Sequence, residues 1–125
     1  CCDADTGKVI WQSEKINRSI STPAIANGLV FVGDFNGFLH CFDAETGKTY
    51  WSHNTESHMW GSPLVVDGKV MIGNEDGELY TFAATKEKKL LSTINLESPI
   101  LGSPVVANGV LYITTQTHLF AVKKK

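Results

Sequence analysis

No apolar run in this sequence approaches the ~18 residues that a bilayer-spanning helix requires. No leader peptide opens it either. The chain begins on Cys1 rather than Met, inside a structural unit, so the expectation is a natural N-terminus further upstream. An excess of positive charge is also missing. Net charge is −2, from 11 basic and 13 acidic residues, which excludes the basic face a nucleic-acid partner needs. The one basic run, Lys123-Lys124-Lys125, reads as a solvated tail. Three cysteines, two of them adjacent, are too few for a disulfide framework. No segment carries a helical period. What remains is a globular composition, 42% hydrophobic and 19% charged.

The chain repeats itself with a step of about 40 residues. Thr6-Gly7-Lys8-Val9-Ile10-Trp11 returns as Thr46-Gly47-Lys48-Thr49-Tyr50-Trp51. Ser21-Thr22-Pro23 returns as Gly61-Ser62-Pro63 and as Gly102-Ser103-Pro104, each followed by an apolar run and Asn-Gly or Asp-Gly. Leu39, Leu79 and Leu119 keep the same step. Within residues 22–54, four short β-rich runs are separated by Asn27-Gly28, by Asp34-Phe35-Asn36-Gly37 and by Glu45-Thr46-Gly47-Lys48. These are hairpin and turn residues, and four antiparallel strands per repeat is the pattern of a propeller blade.

The fold class is therefore all-β: a β-propeller of four-stranded antiparallel blades, with about three blades present as part of a larger ring. Residues 1–125 read as one partial domain. An outer strand over 8–13 comes first, then a blade over 20–55, a blade over 60–95 and an incomplete blade over 100–123. A propeller closes with about 4–8 blades, so this chain alone makes an arc. Two completions are open. The remaining blades of a longer chain can close the ring, or two copies can pair as a homodimer by exchanging the first strand.

The stretch Cys1-Cys2-Asp3-Ala4-Asp5-Thr6-Gly7-Lys8-Val9-Ile10-Trp11, with its second copy ending at Trp51, resembles the signature of the pyrroloquinoline-quinone (PQQ) repeat family. That family calls it a tryptophan-docking motif. The resemblance implies that Gly7, Trp11, Gly47 and Trp51 staple neighbouring blades: a Gly turn lets the next blade approach, and a flat indole covers it. The third copy has decayed to Thr81, Ala83 and Leu91, without the Gly, which predicts a differently packed seam. The family includes PQQ-dependent alcohol dehydrogenases. It also includes propellers without cofactor, such as the lipoprotein of the bacterial barrel-assembly machinery, and sensor or scaffold domains. A periplasmic or cell-envelope location follows from the resemblance only.

Candidate chemistry in the chain is sparse. Cys1-Cys2 invites comparison with the vicinal disulfide over the PQQ ring of some quinoprotein dehydrogenases. Repeat register explains both residues, because Cys1 falls with Cys41 and Cys2 with Phe42, and neighbouring strand residues face opposite sides. Cys41 reads as a buried packing residue. His40, His53, His58 and His118 match no zinc spacing. Asp34, Asn36, Asn74, Glu75 and Asp76 read as turn chemistry, with no spacing that converges on a Ca²⁺–PQQ site. No phosphate-binding loop or nucleophile elbow occurs. The best local candidate is His58-Met59-Trp60, as core packing at the hub or as an exposed aromatic-Met patch for a protein partner. The expected function is a non-catalytic protein-binding or scaffold module without cofactor. The alternatives are a fragment of a PQQ- and calcium-dependent alcohol dehydrogenase, or a sensor or carbohydrate-binding propeller.

Overall fold

Asn27-Gly28, Asp67-Gly68 and Asn108-Gly109 all take positive φ, between 50° and 73°. That is the backbone of the two-residue hairpin turn whose twist matches its strands. In the computed structural model, which describes residues 1–123, the first sheet is β1 (Ala24–Ala26), β2 (Leu29–Gly33), β3 (Phe38–Asp43) and β4 (Thr49–Asn54). The second is β5 (Leu64–Val66), β6 (Lys69–Gly73), β7 (Glu78–Ala83) and β8 (Leu90–Asn95). The third is β9 (Val105–Ala107), β10 (Val110–Thr114) and β11 (Leu119–Lys123). Every pairing is antiparallel and joins neighbours in sequence. The described residues hold no helix. This is propeller architecture, with β1 and β5 as innermost strands in mutual contact.

The Gly-Ser-Pro landmark stitches the sheets together at this inner end. The Thr22 amide donates to Ser62 Oγ at 2.8 Å, and the Ser62 amide donates to Ser103 Oγ at 2.7 Å. A Cβ at Gly61 would stand 2.5 Å from the Gly102 carbonyl oxygen, so the backbones meet only because the residue is Gly. The recurrence of this tripeptide thus reflects one inter-sheet contact made at each seam.

Further out, apolar side chains fill the seams. Phe31, Leu39, Cys41 and Trp51 of the first sheet meet Val70, Ile72, Tyr80 and Phe82 of the second, all at most 9% exposed. Trp51 lies 5.9 Å from the Phe31 ring and 5.4 Å from Phe82, and its indole Nε1 donates to the Thr85 carbonyl at 3.0 Å. Trp11 makes the matching contact one unit earlier. Its Nε1 donates to the Ala44 carbonyl at 3.0 Å, and a Cβ at Gly47 would stand 2.5 Å from Trp11 Cε3. Gly7 has nothing within 4 Å of its Cβ position among the described residues.

Over residues 8–13 the described residues make a single bridge, Cys2 to Val9, and the Cys1 nitrogen donates to the Trp11 carbonyl at 2.9 Å. One expectation needs correction: the Trp position of the third motif is not Leu91. The Asp43 amide closes its turn on Lys48, whereas the Ala83 amide closes on Lys89, a turn one residue longer. Cys41 therefore faces Trp51, and Thr81 faces Ser92. The residue in the docking register is Ser92, while Leu91 falls in the bulge beside it. The long turn lacks both the Gly and the Asp whose carboxylate ties the shorter one to Thr46 at 2.9 Å.

Trp51→Ala is expected to cost about 3–5 kcal/mol, the range for emptying a buried aromatic site. Ser92→Ala, on an exposed strand, is expected to change stability by no more than about 0.5 kcal/mol. Urea denaturation of the two variants checks the register: equal losses would show that Trp51 holds no seam.

Candidate functional site

The extended segment before β5 alternates its side chains as a strand does. His58 and Trp60 face solvent, and Met59 points inward. Met59 is 1% exposed and packs against Gly33 in the first seam, so it belongs to the core and not to a surface patch. Trp60 is 38% exposed and has left the core altogether. Ile20 and Leu101, its counterparts in the neighbouring units, are exposed as well.

The partner of His58 and Trp60 is Phe35, from the β2–β3 turn, which the sequence reading passed over. Its ring stacks on His58 at 4.2 Å and 14°, and meets Trp60 edge to face at 5.0 Å and 89°. The Arg18 guanidinium lies 5.4 Å from the Phe35 centroid. Backbone bonds hold these loops: Phe35 N to Arg18 O at 2.8 Å, and Glu75 N to His58 O at 2.8 Å. The same bond recurs as Gln116 N to Pro99 O at 3.0 Å, so it is part of the repeat. His58 Nδ1 donates to the Phe35 carbonyl at 2.7 Å, and Trp60 Nε1 donates to Glu75 Oε2 at 3.1 Å. The result is a fixed aromatic surface across the first two units, bordered by a shallow cleft carrying Glu56, Glu75 and Asp76.

Beneath this surface lies a buried polar chain. Asp34 is fully buried, and its Oδ2 meets His40 Nε2 at 3.0 Å. His40 Nδ1 meets Ser52 Oγ at 2.8 Å. Asn17 adds Nδ2 to Oδ2 at 3.1 Å, and the Phe38 amide donates to Oδ1 at 3.1 Å. Serine, histidine and aspartate in a line suggest a nucleophilic relay. Here the imidazole is 4% exposed and stacked against Phe38 and Phe42, so it serves to satisfy a buried carboxylate. Burial pushes the Asp34 carboxyl upward, but the bonds from His40, Phe38 and Asn17 outweigh it and hold the group below the usual carboxylate value. The second unit solves the same turn differently. Asn74 donates to Glu78 Oε2 at 3.0 Å, and the Tyr80 hydroxyl donates to the same oxygen at 2.6 Å.

The other candidates are dispersed. Cys1 and Cys2 are free, exposed thiols, and Cys41 is a buried one whose acidity burial pushes up to about 12. His53 packs on Tyr80 and Phe82, and burial, with Lys88 nearby, lowers its pKa. His118 bonds to Thr117 at 2.9 Å. Among the described residues no three His, Cys, Asp or Glu side chains gather in a metal-binding group.

Comparison with known proteins gives the family. The family described as outer membrane protein assembly factor BamB matches residues 1–91. This chain belongs to the BamB family. BamB from Moraxella catarrhalis superposes with a TM-score of 0.84 at 28% identity, over 98% of this chain and 38% of that one. The chain thus spans well under half the length of this BamB. Quinohemoprotein alcohol dehydrogenases share the fold at lower likeness. The Pseudomonas putida HK5 enzyme ADHIIG gives a TM-score of 0.69 at 24% identity, over 90% of this chain and 24% of its own. The Comamonas testosteroni enzyme gives 0.67 at 22%, over 78% and 17%. No curated protein sequence matches the chain. No helix among the described residues is long and apolar enough to cross a membrane.

Asp34→Ala leaves the Phe38 amide, Asn17 and His40 without their acceptor and is expected to cost about 1–3 kcal/mol. Asp34→Asn, which can keep the Phe38 acceptor as Asn74 does in its own turn, is expected to cost less. Because the folded carboxyl is held below its unfolded value near ~3.9, its stabilisation is complete above that value and is lost as pH falls through the folded one. Urea titrations at falling pH are expected to bring wild type and Asp34→Asn together in acid. A gap that stays constant would contradict the assignment.

Proposed function

We propose that this BamB-family chain is a non-catalytic propeller segment that binds a protein partner in the bacterial periplasm or envelope, using the Phe35–His58–Trp60 surface. The observation that carries this reading is the exposure of a Trp whose ring is already fixed in place. Interface hot spots favour such aromatics, since a pre-ordered side chain loses little entropy on binding. The family description, an assembly factor for outer-membrane proteins, names a role exercised on other proteins and supports the same reading.

The dehydrogenase alternative draws no support from the residues that would hold its cofactor. Asp34 and Asn74, the buried members of the two turns, spend their polar atoms on partners within their own units. Cys2 is itself bridged to Val9, and both Cys1 and Cys2 are free, exposed thiols. These pairings support a reading without a PQQ–calcium site.

The outer edge of β11 offers a second mode of association. Leu119 and Val122 there are 65% and 50% exposed, and no strand covers them among the described residues. Further blades pair with this edge, or a second copy of the chain does so by strand exchange. Light scattering after size exclusion distinguishes them, since exchange doubles the 13.7 kDa mass.

A photo-crosslinking amino acid placed at position 60 is expected to trap a discrete protein adduct in bacterial envelopes. Trp60→Ala is expected to weaken that partner by about 2 kcal/mol or more, roughly 30-fold, while leaving thermal stability unchanged. Absence of any reproducible adduct would rule the surface out.

A further inference from the structure

The loops between the first two sheets leave an unbalanced charge beside the aromatic surface. The cleft next to Trp60 has a volume of about 380 Å³ and is lined by Asn36, Glu56, Ser57, His58, Glu75 and Asp76. Three carboxylates line it, and no lysine or arginine does. The one basic side chain there, His58, is stacked on Phe35 and bonded through Nδ1 to the Phe35 carbonyl. Among the described residues the ion pairs are Asp34–His40 and Lys69–Asp67, so none of them neutralises Glu56, Glu75 or Asp76. The field of these carboxylates reaches the core below. Burial comes first in pushing up the pKa of the Tyr80 hydroxyl, and Glu78, Glu56 and Asp76 add to it. The first and second sheets both have all four strands, so the exposure of this cleft owes nothing to an absent strand.

The aromatic side of the cleft suits a cation as well. Trp60 Nε1 donates to Glu75 Oε2 at 3.1 Å, so the edge of the indole meets the carboxylates while the residue stays 38% exposed beside them. A cation laid on such a ring gains from its π-face and from the carboxylates together. The surface already holds one cation of its own. The Arg18 guanidinium stands 5.4 Å from the centroid of Phe35, the ring that meets Trp60 edge to face. Arginine suits the site better than lysine, because a guanidinium is flat, stacks on aromatic rings and offers paired donors to carboxylates.

Given the docking role proposed for Phe35, His58 and Trp60, on which this step rests, we infer that the partner segment is cationic: it lays an arginine on the exposed Trp60 ring and sets the guanidinium among Glu56, Glu75 and Asp76. The indole supplies a pre-ordered contact, and the three carboxylates select a positive partner over a neutral or acidic one.

The sequence contains three tryptophans, which makes the test direct. Trp11 and Trp51 tie their indole N–H groups to the Ala44 and Thr85 carbonyls and serve as internal controls. In ¹⁵N-labelled protein, titration with the peptide acetyl-Gly-Arg-Gly-amide is expected to shift the Trp60 indole signal to saturation and leave Trp11 and Trp51 in place. The same peptide with citrulline, which keeps the shape of arginine without its charge, is expected to shift none of them. Asp76→Asn and Glu56→Gln are each expected to weaken the arginine peptide about two- to fivefold, the worth of one exposed ion pair. An unmoved Trp60, equal shifts from the citrulline peptide, or unchanged affinity in both variants would overturn the arginine assignment. Should that happen while a crosslinker at position 60 still captures its adduct, the docking surface stands and only the arginine falls. A missing adduct counts against the docking surface itself.

Discussion

An indole buried between two sheets, with its one polar atom satisfied by the next sheet's turn, is the contact on which this architecture depends. No helix covers any sheet among the described residues, so each sheet can bury its faces only against its neighbours. Trp51 does this for the first seam by touching Phe31 behind it and Phe82 ahead, while Nε1 reaches the Thr85 carbonyl. That bond survives the loss of the Gly turn, because the longer loop still offers a carbonyl at the right height. Trp11 repeats the arrangement on Gly47, although its own strand is hardly formed. Both contacts join an indole to a backbone carbonyl of the next unit's turn.

The inner and outer ends of each seam are held by different forces. Inside, amide-to-serine bonds link successive units, and at the second seam the backbones of Gly61 and Gly102 meet directly. Outside, the contact is apolar area. Hydrogen bonds fix the register between sheets, while burial provides most of the stabilisation. The second seam keeps the inner bond and carries Lys69, Met71 and Ser92 where the first carries Leu29, Phe31 and Trp51.

Polar groups in the β2–β3 and β6–β7 turns follow a similar logic of one position and two solutions. A buried carboxylate at Asp34 recruits His40, Ser52 and Asn17, whereas the amide at Asn74 recruits Glu78, and Glu78 in turn Tyr80. Both leave the turn rigid, and a rigid turn carries Phe35 under Trp60 in one case and Glu75 beside it in the other. The aromatic surface is thus a product of the polar layer below it. Both are extensions of the repeat's common hydrogen bond between the loop leading into each unit and its turn.

Periodicity in the sequence determined the sheets, their order and their antiparallel sense, because hairpin turns such as Asn27-Gly28 are local events dictated by two residues. The burial of Cys41 followed from the same register. Only the tertiary structure decided matters that depend on how sheets meet. Phe35 is silent in the sequence because its neighbours His58 and Trp60 arrive from the next unit. Met59, read alongside them, turns inward because adjacent residues of an extended segment face opposite ways. Ser92, not Leu91, took the docking position because one extra turn residue shifts a strand and sends every later side chain to the other face.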